Sequence, residues 1–574
     1  MVKDVTIFEA VKEDREKREV INSEPPNPAS DISSQTDTGM LSKEAFGLIN
    51  VYEQETRKIE IGENKPAIKV GEVLGSVAFA YERVRNALDY KGEHLLRRNA
   101  IERILRRQIW ERPGRDVDNI ASALIKELIW ARYLRNEYIS KMKVKEVSKV
   151  IEKHFRFLAL ITDFITDRRE ARRTREWFLS TASCEIEEIL DPKLFSIYAL
   201  NNAMFSWFKK AFEWEDNLSE QEKNTQLFIA VHKSLSKSDD ARVRYHFLKI
   251  YYPDWETASV ETIDKDFDRI VKISQEIDVL INSPIQPRIY RFVQKHAAAF
   301  HILKDVIEDD ISEAREVFED EELLEDKVRE VCDDRYEEIR RRVNTGIIRS
   351  IIYIFTSKVL LALLMEIPFE LIFLGRLNYL TIGINTTVPP ALMFLVGLSI
   401  KKPGETNTER IIEKIKSFMY KKNKDEKIRF SLISFDKHRL LYRIFFALYG
   451  IFFLITFIGI SYFLIRLHFN ILSGMIFFVF LSLVLLFGYR VRFTASELNV
   501  TGEKEGFLSS IITNFTLPLL SLGVWVSQGL AKLSFLMVIM DFLIEAPLKT
   551  IIGVIEEWTS FIRERREEVV SVPM

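Results

Sequence analysis

Apolar residues are spread unevenly along this chain. From about residue 72 to 346 they recur every three or four positions among charged residues, the period of helices with one buried face. Beyond 346 they run together into long tracts. Segments 444–465 and 469–489 contain no charge, and each is long enough to cross a hydrocarbon core of about 30 Å at about 1.5 Å per residue. Segments 377–400 and 506–531 are also long and uncharged, with Pro389, Pro390 and Pro518 expected to bend or shorten them. Segments 347–375 and 533–555 are long enough too, but each carries ionisable residues and a proline near its middle. The pattern predicts an all-α protein: a large cytosolic helical region followed by a polytopic α-helical membrane domain of six spans.

Flanking charge gives an independent check on that count. Arg340, Arg341, Arg342 and Arg349 precede the first tract, and the connection 401–443 after the second is rich in lysine. Arg490, Arg492 and Lys504 follow the fourth, and Arg563, Arg565 and Arg566 the sixth; the alternate connections carry few basic residues, such as Arg376, Arg466 and Lys532. The positive-inside rule then puts both termini in the cytoplasm with an even number of crossings. The expected organisation is a flexible tail at 1–41, a cytosolic helical domain at 42–303 and an acidic connecting helix or stalk at 304–346. A six-span domain at 347–556 with a cytosolic loop at 401–443 follows, then a cytosolic tail at 557–574. Within that loop, Ile411, Ile412, Ile415, Phe418 and Met419 share one helical face. Two readings stand for it: a helix lying in the membrane interface with its lysines snorkelling, or a helix packed on the cytosolic domain.

In the polar half, helices are expected at 73–88, 95–110, 117–140 and from 144 towards 164, with breaks at Arg112–Arg115, Asp191-Pro192, 217–224, Tyr252-Pro253 and 284–287. Leu95, Ile101, Ile104, Leu105 and Ile109 form a stripe, with Arg97, Arg98, Arg103, Arg106 and Arg107 around it. These arginines, and Arg168, Arg169, Arg172, Arg173 and Arg175, suit the solvated faces of amphipathic helices better than a phosphate-binding surface, because acidic residues are interspersed.

Composition narrows the function classes. The 574 residues carry a formal net charge of only -2, which gives no general pull towards nucleic acid. Cys184 and Cys332 fit neither a disulfide framework nor a metal-ligand spacing, and His296 and His301, five apart, do not share a helix face. Neither a Gly-rich phosphate loop in a strand-to-helix context nor a nucleophile–base pattern occurs, so no cofactor, metal site or catalytic role is assigned.

The candidate chemistry lies in the two charged tracts. Glu366-Ile367-Pro368 in the first is matched by Glu545-Ala546-Pro547 in the last. Glu370 follows Glu366 by four, Asp541, Glu545 and Lys549 are spaced by four, and Lys358 lies about two turns before Glu366. Charge in hydrocarbon is costly and must face a partner or a polar path, and a proline loosens the helix where an ion can bind. Lys358, Glu366, Glu370, Asp541, Glu545 and Lys549 are therefore the candidate ion path, with structural ion pairing as the competing reading. Asn385 with Thr386 and Thr387, ahead of two prolines, suits a cap or turn on the external side more than a cavity lining. The leading expectation is a channel or secondary transporter for inorganic cations or protons in the plasma membrane. A membrane scaffold for a cytosolic protein partner or a homo-oligomer, and a lipid-handling protein, are the alternatives.

Overall fold

The computed structural model describes residues 41–531, apart from 63–67, 69, 71, 90–94, 112–115, 192, 217, 310–313, 401–402, 421–427, 432–438 and 501–506, together with scattered positions between 551 and 566. It is helical almost throughout, with one pair of three-residue strands among the described residues. The expected N-terminal tail lies outside them.

The polar half begins with α1 (Lys43–Gly62), α2 (Glu72–Asp89), α3 (Leu96–Glu111), α4 (Val117–Trp130), α5 (Lys141–Phe164), α6 (Arg168–Leu190) and α7 (Leu194–Ala211). One core joins α2 through α6, where Ile101, Ile104 and Leu105 of the expected stripe meet Leu124, Ile125, Ile151 and Ile186. α4 stops ten residues earlier than its apolar pattern suggests. The chain turns there because Arg132 takes a left-handed conformation (φ 59°) while the amides of Tyr133 and Leu134 fold back to the Leu128 carbonyl. Asn136 then brackets Val70, accepting from its amide and donating to its carbonyl.

A second, larger core takes in α1, α7, α8 (Glu220–Leu235), α9 (Asp240–Tyr251), α10 (Val260–Ile281), α11 (Gln286–Asp309), α12 (Ala314–Glu319) and the first half of α13 (Glu321–Leu361). The acidic stretch expected as a stalk is instead divided among α11, α12 and α13. Leu324, Val328, Val331, Cys332, Tyr336, Ile339 and Val343 are buried, so α13 runs through this core rather than standing clear of it.

Four of the five arginines of α3 differ from expectation, while Arg106 is exposed as expected. Arg98 is buried between Glu102 (2.9 Å) and Asp239 (2.7 Å), Arg97 reaches Glu187 (3.2 Å) and Asp191, and Arg103 and Arg107 bind Glu82 and Glu127. They hold neighbouring helices together by buried or half-buried charge pairs. Arg168, Arg169, Arg172 and Arg173, at the start of α6, are exposed.

After α13 come α14 (Tyr379–Leu398), α15 (Glu405–Met419), α16 (Arg439–Arg466), α17 (Ile471–Ala495) and α18 (Phe507–Ala531). Among the described residues four helices are long and apolar enough to cross a membrane: Glu321–Leu374, Tyr379–Leu398, Phe446–Arg466 and Ile471–Ala495. Large apolar side chains on them face outward, among them Ile348, Ile352, Ile372, Leu395, Leu454, Ile458 and Phe463. α18 packs on α17 at Gly523, where a Cβ would stand 2.5 Å from the Ser482 carbonyl oxygen. Only a residue without a side chain permits that approach.

α15 decides between its two readings. Ile411, Ile412, Ile415, Phe418 and Met419 are all buried in the larger core, against α11 and α13. Lys416 pairs with Glu321 (3.2 Å) and Glu325 (3.0 Å) instead of extending outward. The same connection supplies β2 (Ile428–Phe430), which pairs in parallel with β1 (Phe212–Trp214). The apolar bundle therefore returns a segment into the polar half. Asn407 sits at the junction: it donates to the Tyr336 hydroxyl (2.9 Å) and the Leu498 carbonyl (2.8 Å) and accepts from the Val500 amide (2.8 Å).

Candidate functional site

Within the 54-residue helical run Glu321–Leu374 the α-helix gives way to two π-helical turns, Ala362–Glu366 and Glu370–Leu374, on either side of Ile367–Phe369. Pro368 has no amide hydrogen, and its ring crowds the carbonyl four residues back; widening the turn accommodates both. Pro368 thus neither ends the helix nor bends the chain out of the bundle. The widened turns direct Glu366 and Glu370 inward, and Gly375 closes the segment in a left-handed conformation (φ 64°).

Lys358 and Glu366 are fully buried and meet at 3.3 Å. Among the described residues Lys358 Nζ has no other hydrogen-bond partner, and the Phe480 ring lies 5.2 Å from it. The second carboxylate oxygen of Glu366 accepts from Asn385 Nδ2 at 2.6 Å, and the same amide nitrogen donates to the Ser473 carbonyl at 3.2 Å. Asn385 is therefore an interior residue of a continuous α14 rather than an external cap. That helix carries Pro389 and Pro390 without breaking, and its cap is Asn378, whose side chain accepts from the Thr381 amide.

Glu370 lies one turn towards the loop end. Its oxygens accept from the Asn378 amide (2.8 Å) and from Asn470 Nδ2 (2.9 Å). Asn470 caps α17 through the Ser473 amide just as Asn378 caps α14. One carboxylate thus sits at two helix N-termini, where the backbone presents partial positive charge. Glu366 and Glu370 share an element and differ in role: Glu370 ties two helix ends, and Glu366 neutralises Lys358.

Three buried oxygens around this arrangement, Thr381 Oγ1, Asn385 Oδ1 and Ser473 Oγ, have no hydrogen-bond partner among the described residues. From Asn378 and Asn470 the polar groups run inward past Glu370, Thr381 and Ser473 to Asn385, Glu366 and Lys358. Asn385 lies about 10 Å along α14 from its cap. Beyond Lys358, towards the polar half, Ile354, Met393, Phe480 and Val484 close the bundle with an apolar plug. The chemistry is that of a one-sided polar file ending at a charge pair.

Of the expected site residues the structure brings together Lys358, Glu366 and Glu370. Asp541, Glu545 and Lys549 lie outside the described residues. Thr381, Asn378, Asn470 and Ser473 were not legible as site residues, although Thr381 and Asn385, four apart in an uncharged tract, share a face.

The polar half holds two further buried clusters. Lys153 (2.6 Å), His154 (2.9 Å) and the Trp255 indole (3.0 Å) all bind the Glu185 carboxylate. Burial alone would raise the Glu185 carboxyl, but hydrogen bonds and charge from His154 and Lys153 outweigh it and hold it below the ordinary range. The His232 and His246 rings lie tilted against each other, with centroids 4.8 Å apart, and burial depresses both imidazoles. Cys184 and Cys332 are free, buried thiols, and burial pushes Cys332 up to about 12. Among the described residues no group of three His, Cys, Asp or Glu side chains is placed to hold a metal.

No family model, curated protein or solved structure matches this chain.

Proposed function

We propose that the chain is a multi-pass integral membrane protein that moves an inorganic cation or protons through the file ending at Lys358 and Glu366. The observation that carries this is the fully buried Lys358–Glu366 pair, linked to Asn385 and surrounded by oxygens without partners, inside helices whose outer faces are apolar. A lone structural ion pair inside hydrocarbon is an expensive way to hold helices, since apolar packing of equal volume serves as well. Charges retained there mark ion and proton paths far more often than their numbers suggest.

The topology that accompanies this has six spans, the fifth being α18 and the sixth 533–555, with both termini and the polar half on the cytosolic side. The basic flanks of alternate connections support it. The plasma membrane is the expected location, and the polar half regulates the path. A lipid-handling role keeps the basic connection 401–443 as its motive but loses the interfacial helix, because α15 buries its apolar face.

Full-length protein reconstituted in liposomes, with a pH gradient and an internal pH dye, tests the proposal. Glu366→Gln is expected to reduce cation-dependent or uncoupled proton flux at least tenfold while insertion and monodispersity are kept. Unchanged flux would make the pair a latch between helices. The protein would then be a membrane anchor for a soluble partner, recognisable by stoichiometric copurification.

A further inference from the structure

The outer surface of α13 changes character within about two turns. Arg340, Arg341, Arg342, Asn344 and Thr345 are exposed on the side of the polar half, and Ile348, Ile352 and Tyr353 are exposed beyond them. α17 makes the same change in reverse, its outward apolar surface ending at Tyr489 and Phe493 beside the exposed Arg490 and Arg492. Arginines among aromatic rings where apolar surface gives way to polar are what a membrane–water boundary selects.

The two helices run antiparallel along a seam with three contacts. A Cβ on Gly346 would stand 3.6 Å from Val491, the Tyr353 and Phe487 rings meet edge to face at 6.0 Å, and Lys358 faces Phe480. Arg349 follows Gly346 by three, a rotation of about −60° from that contact, and Arg490 precedes Val491 by one, about −100°. In an antiparallel pair, offsets of the same sign fall on the same side of the seam. Helical rise then sets Arg349 and Arg490 within about 3 Å of one another along it, with Tyr353 and Phe487 about one turn deeper in the apolar bundle. α13 has no carboxylate between Glu338 and Glu366, and α14 and α17 have none at all. Two guanidinium groups are thus brought to one level on one side by helices that supply no anion there. Among the described residues Arg349 forms no ion pair.

The geometry points to a site for one anionic phospholipid, its phosphate between Arg349 and Arg490 and an acyl chain along the Tyr353–Phe487 ring pair. Guanidinium forks match phosphate oxygens in shape as well as charge. A choline headgroup carries an ammonium close to its phosphate, which two arginines repel, so a headgroup of net negative charge is preferred. Free phosphate or an acidic protein segment uses the arginines alone and leaves Ile352, Tyr353 and Tyr489 uncovered. A phospholipid covers both kinds of surface at once. Bound there, it ties α13 to α17 just outside the apolar plug of Ile354 and Val484 and braces the helix that carries Lys358.

The inference rests on the membrane placement proposed above, and its test is separable from transport. Full-length protein in detergent is given equal amounts of phosphatidylglycerol and phosphatidylcholine, and retained lipid is counted by native mass spectrometry. Retention of one phosphatidylglycerol in preference to phosphatidylcholine is expected. Arg349→Gln and Arg490→Gln should each reduce that retention about fivefold, and together about thirtyfold. Circular dichroism and elution volume check that the fold is kept, and Arg349→Gln decides alone if the Arg490 variant misfolds. Arg492→Gln, turned to the other side of the seam, should change retention by less than about twofold. Equal retention of the two lipids, or an equal loss in Arg492→Gln, overturns the site. Displacement of the lipid by millimolar glycerol phosphate overturns the lipid and leaves a site for soluble phosphate. A protein that is monodisperse without detergent removes the membrane placement itself. Lipid preference without proton flux keeps this site and removes the transport proposal; flux without lipid preference does the reverse.

Discussion

His232 illustrates how burial of a single residue makes stability depend on pH. Its ring is buried, Asn201 Nδ2 donates to its Nδ1 at 3.3 Å, and its Nε2 has no partner among the described residues. Desolvation therefore favours the neutral ring and lowers its pKa to about 3, against about 6.5 in an unfolded chain. Between those values the unfolded state holds a proton that the folded state refuses. Stability is complete above pH 6.5 and falls as the pH drops towards 3. At pH 5 the loss from this imidazole alone is about 2 kcal/mol. His246, 4.8 Å away, is depressed by burial and by His232, so it acts in the same direction. Thermal unfolding of the full chain is expected to shift to lower temperature between pH 7 and pH 5. In His232→Leu the pH 7 midpoint should be lower but the slope shallower; an unchanged slope would show that His232 is not responsible.

At the scale of elements the sequence is readable where one local rule dominates and opaque where a tertiary partner decides. The tracts around 444–465 and 469–489 are legible because length and absence of charge suffice, and α16 and α17 cover them. The end of α4 is not, because Arg132 is no glycine and its left-handed turn depends on carbonyls around it. Likewise, nothing local tells whether the apolar face of α15 meets lipid or protein; only the facing surfaces of α11 and α13 settle it. In the site, Lys358, Glu366 and Glu370 announce themselves as charges in an apolar tract. Asn378 and Asn470 do not, since as caps they resemble those of any helix. Their connection through Glu370 makes a prediction about helix ends. Glu370→Ala leaves the Asn378 amide and the Asn470 side chain without their acceptor and removes the charge at two N-termini, costing about 2–3 kcal/mol. Glu370→Gln keeps an acceptor and should cost about 1 kcal/mol. Thermal unfolding in detergent measures both. A Glu370→Gln protein with unaltered melting but shifted pH dependence of flux would place Glu370 in the path instead of the frame.

The whole molecule is organised around one rod. The run Glu321–Leu374 is about 80 Å long, buried at its start in the polar core through Leu324 to Val343 and at its end in the apolar bundle through Ile354, Lys358 and Glu366. Between those faces, Asn344 and Thr345 are exposed and make no demand on neighbours. Around this waist Asn407 joins α13, α15 and the chain after α17, and Lys237 pairs with Glu497, so the two halves are tied at more than one point. A rotation of α13 driven from the polar core would thus be delivered to Lys358, which gives regulation of the path by the polar half a physical route. Inserting one alanine between Asn344 and Thr345 tests it. A single residue turns the far half of the helix by about 100° while advancing it only about 1.5 Å, so both buried faces cannot keep their partners. Four alanines advance it by about 6 Å but restore the face to within about 40°. If the rod is rigid, the single insertion should lower the melting temperature and abolish flux, and the fourfold insertion should be the milder of the two despite its greater length. Equal tolerance of both would mean that the helix yields at its waist and transmits no rotation; greater damage from the longer insertion would mean that axial distance, fixed by Asn407 and β2, governs the coupling.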